Sequence, residues 1–356
     1  MDLKSIMTIL VILIILVKNS TQQRVPAVFL FGDSTMDVGN NNNLPTLLKS
    51  NFLPYGRDFN HTPTGRFSNG KLAIDFLVKD QLLFETYQVA YLSNEAKIGS
   101  NILSGANFAS AGSGYSDTTA NLYFAVSLSK QLEYFEEYQA RIVGMVGEAN
   151  ASSILSNSIY VISSGTSDFV QNYYISPVLQ LTYPNIQQFF NVLLTSYARF
   201  VQNLYSMGAR NVGVATLPPL GCLPGAITLF GFGNSELCVD RLNYDAISFN
   251  TRLNSTSQSL RNRLSGLNLV VFDIYQPLYT LVTNPIENGF FETRKGCCGS
   301  GLLETSLLCN ELSIGTCSNA SDYVFWDAFH PSQNANNFLA HNMIQAGISL
   351  IYPSSS

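Results

Sequence analysis

Charge is scarce in this chain. Only 12% of its 356 residues are Asp, Glu, Lys or Arg, about half the usual share, while 46% are hydrophobic. That balance excludes a disordered chain, which is poor in apolar residues and rich in charge. At 39.1 kDa the chain is long enough to bury a substantial core. Basic runs are missing as well. With 19 Lys and Arg against 24 Asp and Glu, no stripe offers phosphate contacts, and nucleic acid is excluded as the main partner. Histidine is down to three residues, His61, His330 and His341. The cysteines form no CxxC pair and have no histidine among them, which argues against a zinc site. No metal and no organic cofactor is expected.

Long apolar runs are confined to the beginning. Lys4 precedes an apolar stretch from Ile6 to Val17, broken only by Thr8, and polar residues follow from Lys18 to Arg24. A basic start, a short apolar stretch and a polar exit fit a secretory signal peptide over residues 1–24, with cleavage between Asn19 and Arg24. A membrane anchor is the alternative, but a spanning helix needs about 20 apolar residues. No stable membrane anchor is therefore expected, and residues 25–356 read as one secreted, extracellular domain.

Secretion sets how the cysteines are read. Cys222, Cys238, Cys297, Cys298, Cys309 and Cys317 are even in number, and an oxidising compartment favours disulfides. Cys222 and Cys238 can pair across a short loop; the connectivity of the other four stays open. Asn60, Asn150, Asn254 and Asn319 each begin an Asn-x-Ser/Thr sequon and are candidate glycosylation sites.

What is present is an alternation of strand and helix patterns. Nearly continuous apolar runs at Ala27–Phe31, Ser158–Ser163, Asn211–Leu217 and Asn268–Ile274 read as strands buried on both faces of a parallel sheet. Three- and four-residue apolar steps mark helices from Leu128 to Ile142 and from Ile186 to Tyr205. A last helix spans Ala335–Ile351, after the Pro331-Ser332 start signal. The alternation implies a doubly wound α/β sheet. In such sheets ligands bind beyond the carboxyl ends of the strands, so the residues just after each run come first.

After the first run stands Gly32-Asp33-Ser34-Thr35. A serine there can present its hydroxyl to a cleft, or it can simply cap a turn. A hydroxyl needs an imidazole to accept its proton, and the imidazole needs a carboxylate to orient it. With three histidines the choice is small. His330 follows Asp327 by three residues in Trp326-Asp327-Ala328-Phe329-His330-Pro331, a spacing that also suits a local helix cap. His61 reads as a solvated loop residue, and His341 as structural in the last helix. The glycine-rich run from Gly105 to Gly114 offers backbone N–H groups for an oxyanion. It lacks the Lys-Ser/Thr ending of a phosphate-binding loop and dinucleotide-site glycine spacing. Ser164-Gly165-Thr166-Ser167-Asp168, after the second run, points toward the same cleft.

These blocks together resemble the plant-type GDSL esterase/lipase family of SGNH hydrolases. Pro54-Tyr55-Gly56-Arg57-Asp58-Phe59, Thr64-Gly65-Arg66-Phe67-Ser68-Asn69-Gly70 and Gly296-Cys297-Cys298-Gly299 match it too, and the resemblance runs through essentially all of residues 31–331. It implies a flavodoxin-like three-layer α/β/α fold with a mainly parallel sheet. It implies hydrolysis of carboxylic esters, with a small acyl ester or a lipid as substrate. Ser34 is then the nucleophile, His330 the base and Asp327 the orienting acid, and the N–H groups of Ser34 and Gly112 serve the oxyanion hole. The family's third block reads Gly-x-Asn-Asp, its asparagine being a further oxyanion donor. Here Gly165-Thr166-Ser167-Asp168 has serine instead. Loss of one such donor costs about 10²–10³ in turnover, so a working but slower esterase is expected, with Ser167 a weak substitute. Thr35, where the family name has leucine, is expected to matter little. Two other readings use the same features: an acyltransferase with an alcohol as acceptor, and a non-catalytic binder of lipid or cell-wall glycan. Loops Tyr174–Tyr183 and Cys222–Cys238 are expected to shape the acyl pocket.

Overall fold

The four apolar runs form parallel strands β1 (Val28–Gly32), β2 (Ile159–Ser163), β3 (Asn211–Ala215) and β4 (Asn268–Phe272), hydrogen-bonded in that order. The computed structural model describes residues 25–97, 99–231 and 238–352. The expected signal peptide, residues 1–24, lies outside them.

Strand side chains alternate between faces, so a run can be apolar throughout only if both faces are covered. Here they are. Phe29, Phe31, Tyr160, Ile162, Val212 and Val214 join one core, whereas Val28, Leu30, Ile159 and Val161 join another. The first core is closed by helices α1 (Leu128–Val146), α3 (Ile186–Ser206) and α4 (Asp240–Arg263), with the short α2 (Thr166–Val170) between α1 and α3. The second is closed by the segment Leu72–Phe84 and by α5 (Gln333–Ile351). This is the expected three-layer, flavodoxin-like α/β/α arrangement. Caps set the helix starts: Ser127 accepts from the Lys130 N–H, Asn185 from Gln187 and Ser332 from Ala335.

β1 is not an edge. On its far side the Leu30 N–H donates to the Ala106 carbonyl and Phe108 donates to Leu30, while Tyr91 donates to Asn107 in turn. The chain thus leaves β1 for one side of the sheet and returns as β2 on the other. That reversal at β1 is where open α/β sheets form their crevice.

A separate lobe follows the sheet. Strands β5 (Glu292–Gly296) and β6 (Tyr323–Phe325) pair in parallel with an irregular register. Three disulfides are formed: Cys222–Cys238, as the sequence suggested, and Cys297–Cys317 and Cys298–Cys309. The last two bind the lobe together around its own small core, which includes Tyr55, Phe67 and Trp326. Among the described residues no helix is long and apolar enough to cross a membrane.

Candidate active site

Gly32 ends β1 and lets the chain turn sharply into the cleft. Its φ is +136°, and a Cβ there would lie 1.8 Å from the Ser163 carbonyl oxygen, so only glycine fits. A buried glutamine on α1 clamps this residue: the Gly32 N–H donates to Gln131 Oε1 at 2.8 Å, and Gln131 Nε2 donates to the Gly32 carbonyl at 2.9 Å. The Asp33 N–H donates to the Ser163 carbonyl, and the chain turns through Asp33–Asp37. Ser34 therefore stands, half-buried, at the mouth between β1 and β2.

The partner residues come from the far end of the chain. After β6 the Trp326 N–H donates to the His330 carbonyl and the Ser332 N–H to the Val324 carbonyl, closing a tight turn. Within it Asp327 Oδ1 accepts from the N–H groups of Phe329 and His330, so the carboxylate does cap its own turn. The same carboxylate also holds the imidazole, with His330 Nδ1 2.8 Å from both of its oxygens. The cap of the following helix is Ser332. On the other side of the ring, His330 Nε2 lies 2.7 Å from Ser34 Oγ. Serine, imidazole and carboxylate are thus joined in one hydrogen-bonded row. With Nδ1–H donating to the carboxylate, Nε2 is left free to accept a hydroxyl proton.

The carboxylate is fully buried and well supplied with donors. Burial pushes its pKa up, but the His330 charge, the His330 and Phe329 N–H groups and the Tyr55 hydroxyl outweigh burial and hold Asp327 below the usual carboxylate range. The Tyr55 hydroxyl donates to Asp327 Oδ2 at 2.7 Å and accepts from the Ser306 N–H, and Thr305 Oγ1 donates to the same oxygen. Phe67 packs on the imidazole, with ring centroids 4.9 Å apart. Asp33, beside Ser34, is raised to about 6, chiefly by burial, while hydrogen bonds from Thr35 oppose that rise.

Ser34, His330 and Ser167 share the wall of one open cleft. Its lining is mainly apolar, with Met36, Leu278, Phe329, Leu339 and Met343 among the contributors. The segment Tyr174–Tyr183 contributes nothing to this wall, contrary to expectation, because it folds as a turn and a short helix away from it. Leu223 does line it, and residues 232–237 of that second loop lie outside the described residues.

Ser167 is buried near the start of α2, and its neighbour Asp168 turns away to accept from Tyr115, Ser116 and Thr119. Burial raises Asp168 to about 7 against those three donors. Gly112 is outside the cavity wall. Its φ is +86°, and a Cβ there would meet Leu48 at 2.5 Å. Its loop is tied to the Ser34 turn: Asp37 accepts from the Ala111 N–H, and Asn40 and Asn41 donate to the carbonyls of Asn107, Ala109 and Ala111. Among the described residues, no protein acceptor takes the N–H of Ser34 or of Gly112.

His61 lies in an exposed turn and His341 on the exposed side of α5, its Nδ1 bonded to the Asn337 carbonyl. Neither meets the cavity. Asn60, Asn150, Asn254 and Asn319 are all exposed, two of them within helices. No group of three or more His, Cys, Asp or Glu suited to a metal occurs among the described residues. Four supporting residues had no role assigned from sequence: Gln131, Tyr55, Thr305 and Phe67. Tyr55 and Phe67 stand in matched blocks, which was the available signal. The Thr35 hydroxyl lies 2.8 Å from both Asp33 Oδ1 and Ser163 Oγ, tying the Ser34 turn to β2.

The sequence profile of the GDSL-like lipase/acylhydrolase family matches residues 28–343. A GDSL esterase/lipase of Arabidopsis thaliana is 58% identical over 343 residues, covering 95% of this chain and 94% of that protein. Another from the same plant is 57% identical over 329 residues, covering 92% of each. The A. thaliana GDSL esterase/lipase APG is 52% identical over 334 residues, covering 93% of this chain and 94% of its own. The chain belongs to the GDSL-like lipase/acylhydrolase family, whose members are carboxylic-ester hydrolases.

Proposed function

We propose that the protein is a secreted serine esterase that hydrolyses acyl esters through an acyl-enzyme on Ser34. The observation that carries this reading is the row Ser34 Oγ, His330 Nε2, His330 Nδ1, Asp327. Ser34 Oγ attacks the ester carbonyl as His330 Nε2 takes its proton, and the carbonyl electron pair moves onto oxygen. As that oxyanion collapses, the alkoxide leaves with the proton from His330. Water then attacks the acyl-serine, with His330 again base and then acid, and the free acid departs. Asp327 stabilises the imidazolium in both halves without taking the proton. The N–H groups of Ser34 and Gly112, with the Ser167 hydroxyl, are the donors this reading assigns to the oxyanion.

The apolar cavity supports an acyl chain as the bound group. Three disulfides, exposed sequons and the leader-like residues 1–24 support secretion. The test is hydrolysis of p-nitrophenyl esters from acetate to palmitate by wild-type and Ser34→Ala protein, with and without an added alcohol. Turnover that vanishes in Ser34→Ala is expected, and product captured by the alcohol measures acyltransfer. A folded wild-type protein that turns over none of these esters would instead favour a non-catalytic binder of lipid or cell-wall glycan.

A further inference from the structure

The cavity wall holds several polar side chains that this chemistry leaves unused, Gln171 among them. Gln171 caps α2 in helical backbone, and its N–H donates to the Ser167 carbonyl at 3.1 Å. The two residues are therefore one turn apart on the same helical face. Helical side chains lean toward the N-terminus, which carries the Gln171 amide back toward Ser167, in the wall they share with Ser34 and His330. The main chain here is fixed, since the Tyr123 hydroxyl donates to the Gln171 carbonyl at 2.6 Å. The side chain is not satisfied: Oε1 is buried without a partner, and among the described residues Nε2 donates to nothing. The unpartnered donor, Nε2, is therefore open to a group bound in the cavity.

The adjacent departure from the family pattern gives that donor a task. The asparagine amide is missing at residue 167, and a short serine there leaves room for a longer side chain from the next turn. We propose that Gln171 Nε2 donates to the oxyanion of the tetrahedral intermediate, replacing from one turn later the amide that Ser167 lacks. The proposal rests on Ser34 being the nucleophile. It also revises the expected penalty of Ser167, because the third donor is relocated rather than lost.

Gln171→Leu removes the amide, and Gln171→Glu keeps its shape but puts an acceptor where the donor stood. Both are compared with wild type for kcat and KM on p-nitrophenyl butyrate, alone and combined with Ser167→Asn. Each single variant is expected to lose about 10²-fold in kcat with KM changed less than about twofold. Ser167→Asn is expected to recover most of that loss, because a donor at either position suffices. A kcat within about threefold of wild type in Gln171→Glu, or a loss that Ser167→Asn leaves untouched, would overturn the proposal. Full activity in Ser34→Ala would sink the underlying reading instead, so the two failures are told apart.

Discussion

The two halves of the candidate active site are held by different physics. Ser34 stands at the end of a sheet whose position is fixed by large cores on both faces, including Phe29, Phe31, Tyr160 and Phe135, all fully buried. Asp327 and His330 stand on a lobe with a two-stranded sheet, a core of few side chains and two disulfides. A sheet in a large core needs no covalent help to aim a serine. A small lobe cannot bury enough apolar surface to fix a histidine alone, so cross-links and long-range hydrogen bonds contribute the rest. Tyr55 is the clearest such link, reaching Asp327 across 272 positions of sequence. Arg57 adds another, donating to the Cys317 carbonyl and stacking over Trp326.

The contrast is broken most strongly by removing a lobe cross-link. Replacing Cys297 and Cys317 together by serine should cost about 2–4 kcal/mol of stability. Activity should fall by more than about 10²-fold, as a misplaced base allows, while far-UV circular dichroism keeps the signal of the sheet and its helices. Equal loss of both signals would mean that lobe and sheet stand or fall together. A smaller effect is expected from Tyr55→Phe, which deletes one bond to a charged acceptor and strands the Ser306 N–H. About tenfold in kcat is expected, with the acid limb of the pH–rate profile displaced, because the carboxylate that stabilises the imidazolium has lost a donor. An unchanged profile with a lowered melting temperature would give Tyr55 a purely structural role.

The smallest effect is in pH dependence, where the two regions pull in opposite directions. Burial raises Asp33 and Asp37 to about 6 and Asp168 to about 7, all at the sheet's end. A carboxyl whose folded pKa is raised contributes stability that is fully present below its ordinary 3.8 and lost as pH rises through 6 to 7. In the lobe, Glu304 is lowered to about 2, where hydrogen bonds from Ser300 and neighbouring N–H groups outweigh burial, and Asp327 is lowered as well. Their contribution is present above the ordinary carboxylate range and lost as pH falls through their lowered values. Thermal stability should therefore peak at about pH 4 and decline as pH rises toward 7. A melting temperature that rises steadily from pH 5 to 8 would contradict the assignment for the sheet.

The same contrast explains what the sequence revealed. β1 to β4 and three long helices were legible because burial on two faces, or on one stripe, writes a period into the residues. The strand-like edge beyond β1 was not, since only one or two residues pair at each step. β5 was hidden for another reason: Glu292-Thr293-Arg294-Lys295-Gly296 carries charges and no apolar run. Ser34, Asp327 and His330 were legible because the chemistry demands those residue types and only three histidines compete. Gln131 was not, being one polar residue in a helix whose partner lies 99 positions away. The Thr35 hydroxyl contacts to Asp33 and Ser163 were not legible, because a motif letter carries no side-chain geometry. The pairing of the last four cysteines needed the fold of the lobe.

The central claim, an acyl-enzyme on Ser34, is tested most directly by acid-quenching the protein during turnover of a p-nitrophenyl ester and locating the added mass by peptide mass spectrometry. The account predicts one acyl group on Ser34, absent in Ser34→Ala and accumulating in wild type when acyl-enzyme hydrolysis is slow. Turnover without any adduct on Ser34, undiminished in Ser34→Ala, would contradict it.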